Sequence, residues 1–82
     1  MSSEEKRQIL LNFDRLIQTK TPGNCDVIAS KLGISRRSFF RLIAYMRQEL
    51  DAPIIYDARG QRYTYSHEGS IVFSFVYGRV SD

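Results

Sequence analysis

Four arginines, Arg36, Arg37, Arg41 and Arg47, fall within residues 35–50, against a single acid, Glu49. That segment carries a net charge of +3, equal to the formal charge of the whole chain. The rest is near balance: residues 1–34 hold five basic and four acidic side chains, residues 51–66 sum to zero, and residues 67–82 to −1. All four cations are arginine, whose planar fork matches phosphate and guanine edges better than a lysine ammonium does. The chemistry implied is recognition of a polyanion. Nothing points to bond-making: there is no Gly-rich phosphate loop, metal-ligand cluster or nucleophile–base spacing, and the acids are scattered. Cys25 is the only cysteine and His67 the only histidine, so no disulfide forms within the chain and a structural zinc site has too few ligands. Both read as ordinary packing and surface residues. The expectation is a binding protein, not an enzyme, with no metal, cofactor or small-molecule ligand.

The elements that must position these arginines follow from periodicity. Eighty-two residues make one domain. A hydrophobic share of 43% with 26% charged residues speaks against disorder. No apolar run approaches the roughly 18–20 residues that span a bilayer. Met1-Ser2-Ser3-Glu4-Glu5-Lys6 lacks the basic-then-apolar order of a signal peptide. A cytoplasmic protein with no membrane partner is expected.

Ser2 and Glu5 have capping-box spacing, and Ile9, Leu10, Phe13, Leu16 and Ile17 then form a helical stripe ended by Thr21-Pro22-Gly23. Asn24 caps a second helix over about 25–32, with Val27, Ile28 and Leu32 as its apolar face and Gly33 at its end. Ser35 caps a third, reaching about Leu50, with Phe39, Ile43, Met46 and Leu50 inward and Leu42 beside them; Asp51-Ala52-Pro53 stops it. Beyond Pro53, Ile54-Ile55-Tyr56 and Tyr63-Thr64-Tyr65 predict a β-hairpin over 54–66. Ile71–Tyr77 predicts one further strand, apolar on both faces.

Residues 25–44 carry the most specific pattern. Two helices are joined by a turn too short for antiparallel packing. Gly33 tolerates positive φ there, Ala29 allows close approach, and Ile28, Leu32, Ile34, Phe39 and Leu42 fill the angle. The run Asp26-Val27-Ile28-Ala29-Ser30-Lys31-Leu32-Gly33-Ile34-Ser35-Arg36-Arg37-Ser38-Phe39-Phe40-Arg41 resembles the winged helix-turn-helix at the N-terminus of many bacterial repressors, of the biotin-operon and WYL-regulator types. Pro53-Ile54-Ile55-Tyr56 fits the start of that family's hairpin. The resemblance covers about residues 5–66. It departs at Phe39, where a smaller β-branched residue is usual, and at Leu42, often acidic, and no effector domain is expected. It implies an α+β fold: a three-helix core, a β-hairpin wing and an extra C-terminal strand. Residues 1–66 would be the domain and 67–82 an extension, and the partner would be double-stranded DNA.

At about 100° per residue, Arg37, Arg41, Ala44 and Gln48 face away from the inward stripe of the third helix, with Arg36, Phe40 and Arg47 flanking. Arg37 and Arg41 are expected at base edges, Arg36 and Ser38 (and Arg47 as a further candidate) at phosphates. Ser35 and the free N–H groups of the helix start also suit a phosphate. Phe40 reads equally as a thymine-methyl contact or as packing. Arg59 at the hairpin tip reaches DNA, with Gln61 and Arg62 as weaker candidates. Lys6, Arg7 and Lys31 are expected in solvent. The 71–77 strand has three readings: packing within the chain, pairing in a homodimer, or docking another protein. The functional expectation is a small bacterial transcriptional regulator or DNA-mobility accessory factor. The alternative is a winged-helix protein-interaction module. RNA binding through Tyr56, Tyr63 and Tyr65 is a third reading, disfavoured because those rings suit the buried face of the hairpin.

Overall fold

The computed structural model describes the backbone of residues 3–71 and 75–77 and the side chains of residues 4–69. The fold is α+β: three helices, α1 (Ser3–Gln18), α2 (Cys25–Leu32) and α3 (Arg36–Glu49), lead into an antiparallel hairpin of β1 (Ile54–Asp57) and β2 (Arg62–Tyr65). Two further short strands follow, β3 (Gly69–Ile71) and β4 (Phe75–Tyr77).

Local chemistry sets the helix ends. The Ser2 cap expected for α1 lies outside the described residues. At the other end, Thr21 N–H donates to the Leu16 carbonyl and Lys20 N–H to that of Ile17, both at 3.0 Å, and Lys20 takes φ 58°. This is the left-handed closure that usually selects glycine; here a lysine fills it, ahead of the expected Pro22-Gly23 stop. Asn24 Oδ1 accepts the Val27 N–H at 3.1 Å to open α2, and Gly33 closes it at φ 72°. Ser35 Oγ accepts the Ser38 N–H at 3.1 Å to open α3. Leu50 and Ala52 N–H both donate to the Met46 carbonyl, and Asp51 turns left-handed between them.

Phe13, Phe39, Ile28 and Met46 are the largest fully buried side chains. Phe39 meets Phe13 of α1 edge-on at 5.3 Å and Tyr63 of β2 at 5.2 Å. A smaller, β-branched residue at 39 would not reach both. Val27, expected inward, is 42% exposed; Ile28 and Ala29 are the buried residues of α2.

The β1–β2 register pairs Ile54 with Tyr65 and Asp57 with Arg62 across a four-residue turn. In that turn Asp57 Oδ1 accepts the Arg59 N–H at 3.0 Å, and Gln61, not Gly60, carries the positive φ. Polar ties seat the hairpin on the helices. Gly23 N–H donates to the Gln61 carbonyl at 2.7 Å, and Tyr65 Oη donates to Asp14 Oδ1 at 2.7 Å. Burial first, then the Asp14 hydrogen bond and charge, push the Tyr65 hydroxyl far above its ordinary ionisation range.

The expected single strand over 71–77 is not what forms. Gly69–Ile71 pairs antiparallel with Phe75–Tyr77, Ile71 opposite Phe75, and the β1–β2 sheet keeps two strands. Residues 72–74 between them lie outside the described residues. Strand backbone needs hydrogen-bond partners, and a local reversal supplies them without a third strand on the first hairpin. The β3 end is tied to α1 by Gln18 Nε2, which donates to the Gly69 carbonyl at 2.7 Å.

Lys20→Gly relieves a left-handed L-residue and is expected to raise stability by about 0.5–1 kcal/mol. Gly23→Ala places a Cβ 2.6 Å from Val27 Cγ1 at φ 147° and lowers stability. Urea denaturation checks both, and opposite signs for either overturn the assignment. The raised Tyr65 ionisation means its contribution is intact below the ordinary value of 10.0 and is lost as pH rises beyond it. Tyr65→Phe therefore costs about 1–2 kcal/mol near neutrality and shrinks that alkaline loss; an unchanged alkaline profile contradicts the assignment.

Candidate nucleic-acid interface

α3 turns Phe39, Leu42, Ile43 and Met46 into the core. Arg37, Arg41, Ala44 and Gln48, on the opposite side of the helix, are all exposed. Among the described residues, neither Arg37 nor Arg41 has a hydrogen-bond or ion-pair partner. An outward ridge with two unengaged guanidinium groups near its start is the feature the sequence pattern indicated.

Around this ridge the arginines divide. Arg36 leans back toward α2, with Nε 3.9 Å from Asp26 Oδ1 and both side chains about two-thirds exposed at 65% and 66%. So solvated and long a pair contributes little. The same guanidinium lies 5.8 Å from the Phe40 ring. Phe40 is 46% exposed, its inner side tilted against Phe39 at 5.8 Å. It is part packing residue, part exposed apolar surface.

Arg47, a candidate for phosphate, is exposed and is also hydrogen-bonded within the fold. Its Nε and Nη2 both donate to the Ile54 carbonyl, at 3.2 and 2.8 Å. The guanidinium straps α3 to the first residue of β1, and no spacing rule exposes such a contact between helix and strand.

The start of α3 is well capped. Ser35 Oγ, besides accepting from Ser38 N–H, donates to Ser38 Oγ at 3.1 Å. The first backbone N–H groups of the helix have no intrahelical acceptor and face outward with positive partial charge. Arg59 is exposed at the hairpin turn, whereas Arg62 is half-buried. Arg62 Nε is buried without a hydrogen-bond partner among the described residues, which sets it apart from a mobile surface cation.

Two side chains stand apart from expectation. Lys6, expected in solvent, is half-buried with Nζ 3.5 Å from the centre of the Tyr45 ring. It lines a depression of about 430 Å³ with Ile9, Ile34, Ser38, Arg41 and Leu42. Tyr56, expected on the buried face of the hairpin, is 42% exposed, though its ring meets Tyr63 at 5.0 Å. Tyr63 is half-buried, and burial, followed by Cys25 and Tyr56, raises its hydroxyl ionisation. Together with Val27 and Pro22, Tyr56 lines a second, open depression between α2 and the hairpin.

Among the described residues, no group of three or more His, Cys, Asp and Glu side chains stands close enough to hold a metal ion. No described helix is long and apolar enough to cross a membrane. No family model matches the chain, nor does any curated protein or solved structure.

Arg47→Ala removes two hydrogen bonds to one strand carbonyl and is expected to cost about 1–2 kcal/mol of stability. Arg37→Ala, on the exposed ridge, is expected to stay within about 0.5 kcal/mol of the parent chain. Thermal or urea unfolding of the two variants checks the contrast; equal effects contradict the division of the arginines.

Proposed function

We propose that this chain binds double-stranded DNA as a winged helix-turn-helix module, with α3 in the major groove and the β1–β2 hairpin beside it as the wing. The supporting observation is the exposed α3 ridge, where Arg37 and Arg41 lie opposite the core-facing residues without partners among the described residues. An α-helix has the dimensions of the major groove, and in this class of module the first turns of the second helix approach the bases. Arg37 suits a guanine edge, at about 1–3 kcal/mol of discrimination, and the small Ala44 lets the groove wall come close. The exposed edge of Phe40 suits a thymine methyl group. Ser35, Arg36, Ser38 and the free N–H groups of the α3 start meet phosphates. Arg59 carries the hairpin turn to the neighbouring backbone.

The concentration of net charge on residues 35–50 and the resemblance to bacterial repressor domains favour a cytoplasmic transcriptional regulator or DNA-mobility accessory factor. Pairing of two copies through the C-terminal ribbon would present two α3 helices to half-sites about 34–36 Å apart.

One observation favours a second reading, a module that binds protein: Val27 and Tyr56, each 42% exposed, line the open depression beside the hairpin. Fluorescence anisotropy with duplex selected from a random pool, and with unselected duplex, separates the two. DNA binding predicts affinity that falls log-linearly with salt, at about −0.9 per phosphate contacted. Arg37→Ala is expected to weaken binding to selected duplex by roughly 5- to 150-fold and to narrow its advantage over unselected duplex. Full affinity in both Arg37→Ala and Arg41→Ala contradicts the proposal, and absence of binding at low salt favours a protein partner.

A further inference from the structure

The depression between α1 and α3 has a composition the sequence did not single out. Its floor is apolar, from Ile9, Ile34 and Leu42, and its polar lining is Lys6, Ser38 and Arg41. No carboxylate lines it. The ammonium of Lys6 does not sweep freely, because the Tyr45 ring 3.5 Å away holds it over the α1–α3 junction. A cation over an aromatic face is held by the ring's electron-rich surface, so the charge is positioned before any ligand arrives. Ser38 brings a hydroxyl already oriented by Ser35, at 3.1 Å. Arg41 lies on the α1 side of the ridge and shares this lining. Two cations and a hydroxyl around one concavity, with no acid to neutralise them, form a seat for a singly charged oxyanion.

We infer that Lys6, Ser38 and Arg41 seat one backbone phosphate of bound duplex DNA, so that α1 anchors the strand beside α3. This rests on the DNA-binding reading and deepens it. It moves Arg41 from base reading to backbone positioning, and it adds a DNA contact from outside the helix-turn-helix segment. A phosphate contact carries no sequence information and contributes one released counterion.

The test is the salt dependence of duplex binding for the full chain, followed by anisotropy. Lys6→Gln is expected to reduce the magnitude of the log–log slope by about 0.9. It should weaken selected and unselected duplexes by the same factor. Lys6→Arg is expected to keep the parental slope, and Lys20→Gln, an exposed lysine outside the depression, to leave it unchanged. Circular dichroism of each variant confirms the folded state. A parental slope in Lys6→Gln overturns this site while leaving the DNA reading standing. A change in sequence preference in Lys6→Gln also overturns it, because a phosphate seat cannot discriminate bases. Failure of the parent chain to bind any duplex at low salt overturns the DNA reading and this site with it.

Discussion

The Phe39 ring is the point on which the arrangement turns. It touches Phe13 of α1 and Tyr63 of β2 edge-on, at 5.3 and 5.2 Å, and so joins three elements through one side chain. Aromatic pairs of this kind add about 0.5–1.5 kcal/mol beyond their buried area. Once Phe39, Leu42, Ile43 and Met46 face inward, helical periodicity leaves positions 37, 41, 44 and 48 no place but the outside. The cationic ridge is therefore a consequence of the core. Rotating α3 to hide the arginines would expose the ring that holds helix 1 to the hairpin.

A second layer of constraint is polar and sits at the hairpin's borders. Arg47 straps the first residue of β1, Tyr65 reaches Asp14, and Gly23 meets the Gln61 carbonyl. Each gives a strand or turn group a hydrogen bond that it would otherwise have to find in water. These ties also sort the arginines by task. Arg47 is consumed in holding the fold, and Arg36 is loosely drawn to Asp26. Arg37 and Arg41 have no partner among the described residues. A count of positive charge in residues 35–50 weighs all four alike; the hydrogen-bond geometry does not.

What could be read from the sequence was what is local. Asn24, Gly33 and Ser35 act within three or four residues of themselves, so the bounds of α2 and the start of α3 followed from residue type. The change of period after Pro53 made the first hairpin legible for the same reason. Apart from the local closure of α1 at Lys20, where no glycine marks the left-handed residue, the differences involve partners distant in sequence or reversals without a turn signal. Lys6 and Tyr45, or Arg47 and the Ile54 carbonyl, meet only because the helices pack as they do. Ile71 to Tyr77 carries neither Gly nor Pro to mark a reversal, and its uninterrupted apolar character is that of one strand. Apolar patterning turns Val27 and Tyr56 inward, but it says only that a face is apolar, not how wide a strip the neighbours cover.

The most direct measurement is a two-dimensional amide NMR titration of the labelled chain with a short duplex. Shifts are expected to concentrate at residues 35–44, at the 58–61 turn and around Lys6, with the Asp14–Tyr65 side of the molecule unchanged. Shifts confined to the surface around Val27 and Tyr56, or no shifts at low salt, would contradict DNA binding through α3.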